Sequence, residues 1–240
     1  MEKTKKIKIF IGIFYLTVLF SFLYFLFSTF TFDEITSYKF VQQNRDYFVE
    51  VKESNIIFLT LIFSAFTILW VFLLGFGSPV ALLGGFIFGK WFGTLVVAIS
   101  LSIGSLLLYI FGSYFLKDYI KNKFLNKFQN LENKFRNKEF IFFLIYRFVG
   151  GIPFFIANLL PVIFNVNYRN YFFGTLLGIT PQIFIMCALG NGIEKVIEKN
   201  ITSLPGIHVM IRSPEIYIPI FCFIILIILT FFLRKFFFKK

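Results

Sequence analysis

Two apolar stretches, one in each half of the chain, are interrupted near their centres by glycine and proline. The interruptions are LGFGSP at 74–79 and VGGIP at 149–153. A helix that crosses about 30 Å of hydrocarbon rarely carries such breaks, because the freed backbone N–H and C=O groups find no water there. Such breaks persist where they line a cavity, so the pair predicts the position of a working site inside a membrane.

The composition supports the membrane class. Of the 240 residues, 58% are hydrophobic and 15% are charged, whereas soluble domains carry about 25% charged residues. The net charge of +12 does not indicate nucleic-acid binding, because the cations flank the apolar runs. The sequence therefore predicts an integral membrane protein with no nucleic-acid partner.

Positive charge marks the cytoplasmic ends of the predicted membrane segments. Basic residues precede the first apolar run in 1–8, dominate 117–139 with seven cations against three anions, and close the chain in 234–240. By the positive-inside rule these regions are cytoplasmic. We therefore predict a multi-pass protein of the cell (inner or plasma) membrane, with both termini cytoplasmic and a retained signal anchor at 9–30.

This charge map requires the first interrupted stretch to return to the side from which it enters. Segment 56–93 must begin and end outside if the next span, 94–116, is to deliver 117–139 to the cytoplasm. A re-entrant hairpin with its turn at 75–79 meets this requirement. The alternative of an ordinary kinked span stays open, because 56–76 is long enough to cross the membrane alone.

The second interrupted stretch must enter from the opposite side. Segment 140–168 begins and ends inside, so that 171–191 can cross outward and 216–233 can return. The predicted fold is an all-α polytopic membrane protein with an inverted repeat of two re-entrant helical hairpins, each followed by a transmembrane helix, plus N- and C-terminal transmembrane helices. We divide it into an N-terminal anchor with an external loop, a membrane domain, and an external loop with a C-terminal helix and basic tail: 1–55, 56–193 and 194–240.

The central segment 117–139 has the pattern of a basic amphipathic helix. Its apolar residues recur at spacings of four, three and four, at Phe124, Phe128, Leu131 and Phe135. Such a helix can lie on an anionic leaflet. A solvated connecting helix whose phenylalanines pack on the bundle explains the pattern equally well.

Charged residues inside the apolar runs are restricted to Lys90 and Arg147, since the acidic residues fall in loops or at segment ends. A cation in the bilayer costs roughly 2.5–3.5 kcal/mol and normally faces a polar cavity or partner. Arg147 precedes the second break, where a guanidinium can hold a phosphate bidentately. We predict Arg147, Asn158 and Lys90 as substrate-binding residues. The alternatives are snorkelling of Arg147, helix capping by Asn158 and an interfacial Lys90.

Neither metal nor enzymatic chemistry is indicated. Cys187 and Cys222 lie in apolar runs, and the single histidine, His208, has no partners for a zinc site. The sequence contains no nucleophile–base pair or phosphate-binding P-loop. We expect no cofactor, no metal and no catalytic residue.

Two motifs resemble signatures of the DedA/VTT-domain superfamily, also known as the SNARE-associated Golgi protein family. The first is PVALLGGFIFGKWFGT at 79–94 with Gly104. The second is YRF at 146–148, IPF at 152–154, Asn158, GT at 174–175, Gly178 and Pro181. The resemblance covers roughly 56–191 and is nearest to the Golgi-vesicle-protein branch and its bacterial relatives.

The resemblance implies two facing re-entrant loops and, in several members, movement of phospholipids or a polyprenyl phosphate between leaflets. The arginine of the second signature corresponds to Arg147. DedA-type members carry a glutamate soon after the first proline, whereas Ala81, Leu82 and Leu83 follow Pro79 here, which argues against proton coupling through that acid. The residues assigned to the re-entrant loops are Gly75, Gly77, Pro79, Gly84, Gly85, Gly89, Gly93, Gly150, Gly151, Pro153, Gly178 and Pro181.

The predicted function is therefore membrane lipid transport of the flippase or scramblase kind, with phosphate-bearing lipids as partners. A transporter of a small solute or ion with the same inverted repeat, and a non-transporting membrane scaffold, are the alternatives. A homo-oligomer is compatible with the sequence.

Overall fold

In the computed structural model, the regular secondary structure of the described residues consists of helices. The backbone is described for 2–29, 38–137, 139–149, 152–199 and 212–238, and side chains are described for 7–22, 24, 28, 54–115, 139–149, 152–198 and 212–229. The helices are α1 (Glu2–Thr29), α2 (Tyr38–Phe72), α3 (Gly77–Phe88), α4 (Lys90–Asn137), α5 (Glu139–Val149), α6 (Phe154–Leu159), a 3₁₀ helix (Leu160–Phe164), α7 (Tyr168–Lys199) and α8 (Pro214–Phe238). The predictions made for Gly150, Gly151, His208 and the side chains of 117–138 lie outside the described residues.

The chain forms two compact units. The first ends at Phe48, and the second begins at Val49 and contains the candidate site. Helix α2 leaves helical geometry at Asn55, where φ is −158° and ψ is 80°. The Asn55 side-chain oxygen accepts a 2.9 Å hydrogen bond from the backbone N–H of Phe58, so Asn55 caps the apolar helix that follows.

Three stretches of the described chain are long and apolar enough to cross a membrane: Ser54–Phe72, Lys90–Phe115 and Tyr168–Glu198. The last two correspond to the predicted spans 94–116 and 171–191. The first, at 19 residues, is about 28 Å long and close to the thickness of the hydrocarbon core. The described apolar parts of α1 and α8, Ile7–Phe22 and Pro214–Leu229, are shorter. The chain is a helical, multi-pass membrane protein.

Three of the four helices that flank the two breaks are short. Helix α3 has 12 residues and α5 has 11, so each extends only about 16–18 Å, roughly half of the hydrocarbon core. Helix α6 and the 3₁₀ helix after it add 6 and 5 residues. The second break therefore separates two short arms, whereas the first joins a helix of full spanning length to a short one.

Glycines allow α3 to pack with its backbone directly against α7 and α4. A Cβ on Gly85 would overlap the backbone of Cys187, and a Cβ on Gly190 would overlap the Leu82 carbonyl. Small residues permit such contacts between membrane helices. Gly89 has a different role: with φ of +80° it forms the corner between α3 and α4, a conformation that L-residues with side chains rarely adopt.

Candidate functional site

The two break segments come together beside the membrane-spanning part of α4. The rings of Phe76 and Phe155 are in edge-to-face contact with a centroid separation of 6.1 Å. A Cβ on Gly77 would lie 3.5 Å from Leu101 Cδ1, and Leu101 lies near the middle of the candidate span Lys90–Phe115. Phe76 of the first break and Phe155, just after the second break, are far apart in sequence and are thus brought together in the bundle.

The first break is held in place by Trp70. Its indole Nε1 donates a 2.8 Å hydrogen bond to the carbonyl of Phe76, and the indole lies so close to Gly75 that a Cβ there would overlap it. Leu74 has φ of 65°, in the left-handed region that is costly for a residue with a Cβ. The turn is therefore strained locally and is fixed by the tryptophan.

A cavity of about 530 Å³ lies between the two breaks. Its described lining includes the charged side chain of Arg147 and the polar side chains of Ser78, Tyr146 and Gln182, with no Asp or Glu. The remaining lining residues are Phe76, Gly77, Ile152, Pro153, Phe154, Ala157, Ile179, Ile183, Met186 and Phe223. The cavity is thus largely apolar with a single cationic group.

Arg147 is buried and hydrogen-bonded within the bundle. Its side chain is 4% exposed, Nη1 donates to Asn158 Oδ1 at 2.8 Å, and Nη2 donates to the Tyr171 hydroxyl at 2.6 Å. The Tyr171 hydroxyl in turn donates to the Asn158 carbonyl at 3.0 Å. The guanidinium therefore links α5, α6 and α7, and these bonds direct it into the protein.

Aromatic rings and a helix end stabilise this charge. The guanidinium carbon lies 5.2 Å from the centre of the Phe143 ring and 5.1 Å from that of Tyr171, within the range of cation–π attraction. Arg147 also lies in the last turn of α5, where the helix dipole favours a cation. These neutral groups offset part of the desolvation cost of the charge.

Two buried donors at this site have no hydrogen-bond acceptor among the described residues. They are Arg147 Nε and Asn158 Nδ2. Leaving a buried donor unpaired costs roughly 1–3 kcal/mol, and more for a charged group. The donor set therefore matches an anion that presents several oxygen acceptors, as a phosphate does.

Arg147 is positioned by residues that the sequence analysis did not select, notably Tyr171 and Phe143. On α7, a Cβ on Gly178 would lie 2.6 Å from Arg147 Cβ, so the glycine allows the arginine to lie close to the helix. Tyr171, Gly174, Thr175 and Gly178 follow the i, i+3, i+4, i+7 spacing of one helix face. This periodicity is the sequence pattern that could have identified Tyr171 as a site residue.

Two further contacts close the site. The Gln182 amide donates to the Phe148 carbonyl at 2.8 Å near the end of α5, and the Tyr146 hydroxyl donates to the Ala157 carbonyl at 3.2 Å. Both join α5 to its neighbours where the second break begins. The second break is consequently fixed by side chains from α5 and α7.

Of the other two predicted substrate-binding residues, one lies beside Arg147 and the other does not. Asn158 is fully buried and bonds Arg147, whereas Lys90 is exposed at the start of α4 and lines a second cavity that does not include Arg147.

Pro153 precedes the first turn of α6 and Pro79 lies in the first turn of α3, where a missing N–H is tolerated. Pro181 lies inside α7. Among the described residues, no group of three or more His, Cys, Asp or Glu is placed to hold a metal ion.

Comparison with known proteins assigns the family. The VTT domain matches residues 75–192, which contain both breaks and Arg147. The chain contains a VTT domain of the DedA superfamily. The VTT match begins within the first break and ends in the last part of α7, so this domain contains the whole cavity lining except Phe223 of α8.

Two relatives are distantly similar to this VTT protein. It is 22% identical over 152 residues to the "Transmembrane protein 41 homolog" of Caenorhabditis elegans, covering 60% of this chain and 61% of the worm protein. It is 26% identical over 113 residues to the "Uncharacterized protein YqeD" of Bacillus subtilis, covering 46% of this chain and 54% of that protein. The matches thus span less than two thirds of either relative. No solved structure matches.

Proposed function

We propose that this VTT protein moves a phosphate-bearing lipid between membrane leaflets, as a flippase or scramblase. The observation that carries the proposal is the buried cation Arg147, which lines a cavity between the two breaks whose described lining contains no carboxylate. Family membership and the similarity to the worm protein are consistent with this class of activity. The substrate supplies the negative charge that the cavity lacks.

The exposed apolar side chains around this cavity favour a lipid over a soluble solute. Phe76, Ile152 and Phe223 are 54%, 39% and 37% exposed, and all three line the cavity. In a membrane such side chains face acyl chains. A head group can then enter from the side while its chains stay in the bilayer, whereas a hydrated ion would have to pass this apolar border.

In the proposed mechanism the phosphate enters the cavity between the two break segments and approaches Arg147 there. Charge-assisted hydrogen bonds offset part of the cost of removing the head group from water. The helices in chain order, α2–α3–α4 and α5–α6–α7, would form the two halves of an inverted repeat around this point. Transport then requires no chemical step and no carboxylate proton relay.

The test is lipid transfer in proteoliposomes that contain purified protein. Arg147→Ala is expected to slow transfer of a labelled phospholipid roughly tenfold or more, because a bond to a charged group is worth about 1.5–3 kcal/mol. Arg147→Lys keeps the charge but loses the planar fork, so an intermediate rate is expected. Arg169→Ala, which removes an exposed arginine at the start of α7, is the matched control.

Unchanged transfer by Arg147→Ala, with normal expression and monodispersity, would remove Arg147 from the mechanism. Flux of soluble phosphate without lipid transfer would instead support the solute transporter. Absence of both fluxes in proteoliposomes that contain folded protein would favour the scaffold. All three outcomes are measured in the same reconstituted system.

A further inference from the structure

A second cavity of about 640 Å³ lies on the opposite face of α7 from the first. The first cavity uses Ile179, Gln182, Ile183 and Met186 of this helix. The second uses Pro181, Phe184, Ile185, Ala188, Asn191 and Lys195. Each set repeats at helical spacing, so α7 separates the two cavities.

Two lysines from distant parts of the sequence meet at this second cavity. Lys90 is the first residue of α4, and Lys195 lies near the end of α7; both are exposed. A Cβ on Gly89, the residue before Lys90, would lie 3.6 Å from Asn191 Oδ1, and Asn191 is about one helical turn from Lys195 on α7. Both lysines therefore lie at one end of the cavity as a result of helix packing.

The start of α8 completes this polar end. Glu215 and Asn191 also line the cavity, and Gly192 lies against the backbone of Glu215 so closely that a Cβ would overlap it. The charged lining residues are two lysines and one glutamate, which gives a net charge of +1. The polar end therefore favours an anionic head group over a neutral one.

The rest of the cavity is apolar and extends into the membrane-spanning part of α7. From Lys195 to Ile185 the helix rises about 15 Å, which is close to the depth of one leaflet in a hydrocarbon core of about 30 Å. Phe184, Ile185, Ile218 and Cys222 form the walls. A cationic end followed by one leaflet depth of apolar wall matches the shape of a phospholipid.

We propose that this cavity is a binding site for a single anionic phospholipid. The phosphate lies at Lys90 and Lys195, and an acyl chain lies along Phe184, Ile185 and Cys222. Lysine ammonium groups hold phosphate as point charges, and each lysine near an anionic surface contributes appreciably to attraction. The site does not depend on transport at Arg147, because it uses different side chains on the other face of α7.

The experiment measures lipid retained by the purified protein, by native mass spectrometry, after exchange into mixed micelles of phosphatidylglycerol and phosphatidylcholine. The wild-type protein is expected to retain phosphatidylglycerol selectively. Lys90→Gln together with Lys195→Gln should reduce that selectivity roughly tenfold, and each single variant should have an intermediate effect. The charge-matched control is Lys8→Gln with Arg169→Gln, which should retain the wild-type selectivity.

A second measurement leaves the lysines unchanged. Cys222 is exposed and lines the cavity, whereas Cys187 is buried, so N-ethylmaleimide should modify Cys222 and occupy the apolar part of the site. Modification should displace the retained lipid, and bound phosphatidylglycerol should slow the modification. This measurement remains informative if the double lysine variant does not fold.

Three results would overturn the proposal. Phosphatidylglycerol selectivity unchanged in the folded double variant would remove the lysines from the site. Lipid retention unaffected by Cys222 modification would place the lipid elsewhere. Competition by soluble glycerol phosphate as strong as by the lipid would show that the apolar walls contribute nothing. Lipid-transfer rates of the same variants, measured in parallel, report separately on the proposed transport.

Discussion

The Tyr171 hydroxyl accepts a 2.6 Å hydrogen bond from Arg147 Nη2 and donates a 3.0 Å bond to the Asn158 carbonyl. One phenol thus joins the arginine of α5 to α7 and to the backbone of α6. This relationship fixes the second break, since all three helices converge beside it. It also makes the site depend on a residue that carries no charge.

Tyr171→Phe tests this connection directly. The variant keeps the ring beside Arg147 but removes both hydrogen bonds, and a bond to a charged group is worth about 1.5–3 kcal/mol. We expect a lower apparent melting temperature in detergent, measured by loss of monodispersity on heating. Tyr217→Phe, at a tyrosine that is 47% exposed, should leave the melting temperature unchanged. Equal stability of the two variants would contradict the role of the phenol.

Gly178→Ala should separate α5 from α7. Its Cβ would lie 2.6 Å from Arg147 Cβ and 3.0 Å from the Leu144 carbonyl oxygen, and such overpacking typically costs about 1–3 kcal/mol. Gly77→Ala is the control, because the nearest atom to its Cβ would be 3.5 Å away. Melting temperatures of the two variants should therefore differ clearly. A Gly178→Ala protein as stable as Gly77→Ala would show that α5 adjusts its position without cost.

Glu139 joins the ends of the second interrupted stretch. Its Oε1 accepts hydrogen bonds of 2.8 Å from the backbone N–H of Asn167 and from Asn170 Nδ2. Glu139→Ala should release the start of α7, because both donors lose their acceptor. Hydrogen-exchange mass spectrometry should detect faster exchange in 165–171. Glu198→Ala, near the other end of α7, should leave exchange in this segment unchanged, and no difference between the variants would count against the connection.

Trp70→Phe should loosen the first break. The phenyl ring can still cover Gly75, but the 2.8 Å bond from the indole to the Phe76 carbonyl is lost. In a background with Cys187 and Cys222 replaced by alanine, a cysteine introduced as Ser78→Cys should react faster with a thiol reagent. Phe66→Leu, which changes the ring stacked on Trp70 but retains the indole donor, is the comparison. Identical reactivity in the Trp70 and Phe66 variants would show that the hydrogen bond does not hold the turn.

Much of the candidate site follows from local sequence properties. Closely spaced glycine and proline residues are strong local helix breakers, so 74–79 and 149–153 predict turns without knowledge of the fold. A cation within an apolar run requires a polar environment, and this requirement identifies Arg147 from the sequence as a candidate site residue. The absence of acidic residues from the apolar runs is a matter of composition and needs no structure. The VTT match independently supports the family assignment.

Other features depend on packing between distant segments. Asn158 appeared in the sequence as a neighbour of the second break, but its bond to Arg147 arises because α6 folds back beside α5. Tyr171 is 24 residues from Arg147, and its hydroxyl finds the guanidinium only when α7 packs on α5. The unequal arms of the first break likewise depend on where each helix ends in the bundle.

The sequence by itself determined that this chain is a helical membrane protein with two broken segments and a cation beside one of them. These properties are encoded by hydropathy, backbone-breaking residues and charge, which act over a few neighbouring residues. Only the tertiary structure decided that Phe76 and Phe155 meet, that Tyr171 and Asn158 bond Arg147, and that Lys90 joins Lys195 in a separate cavity. Such contacts depend on which helix faces pack together, and residue spacing alone does not specify those faces.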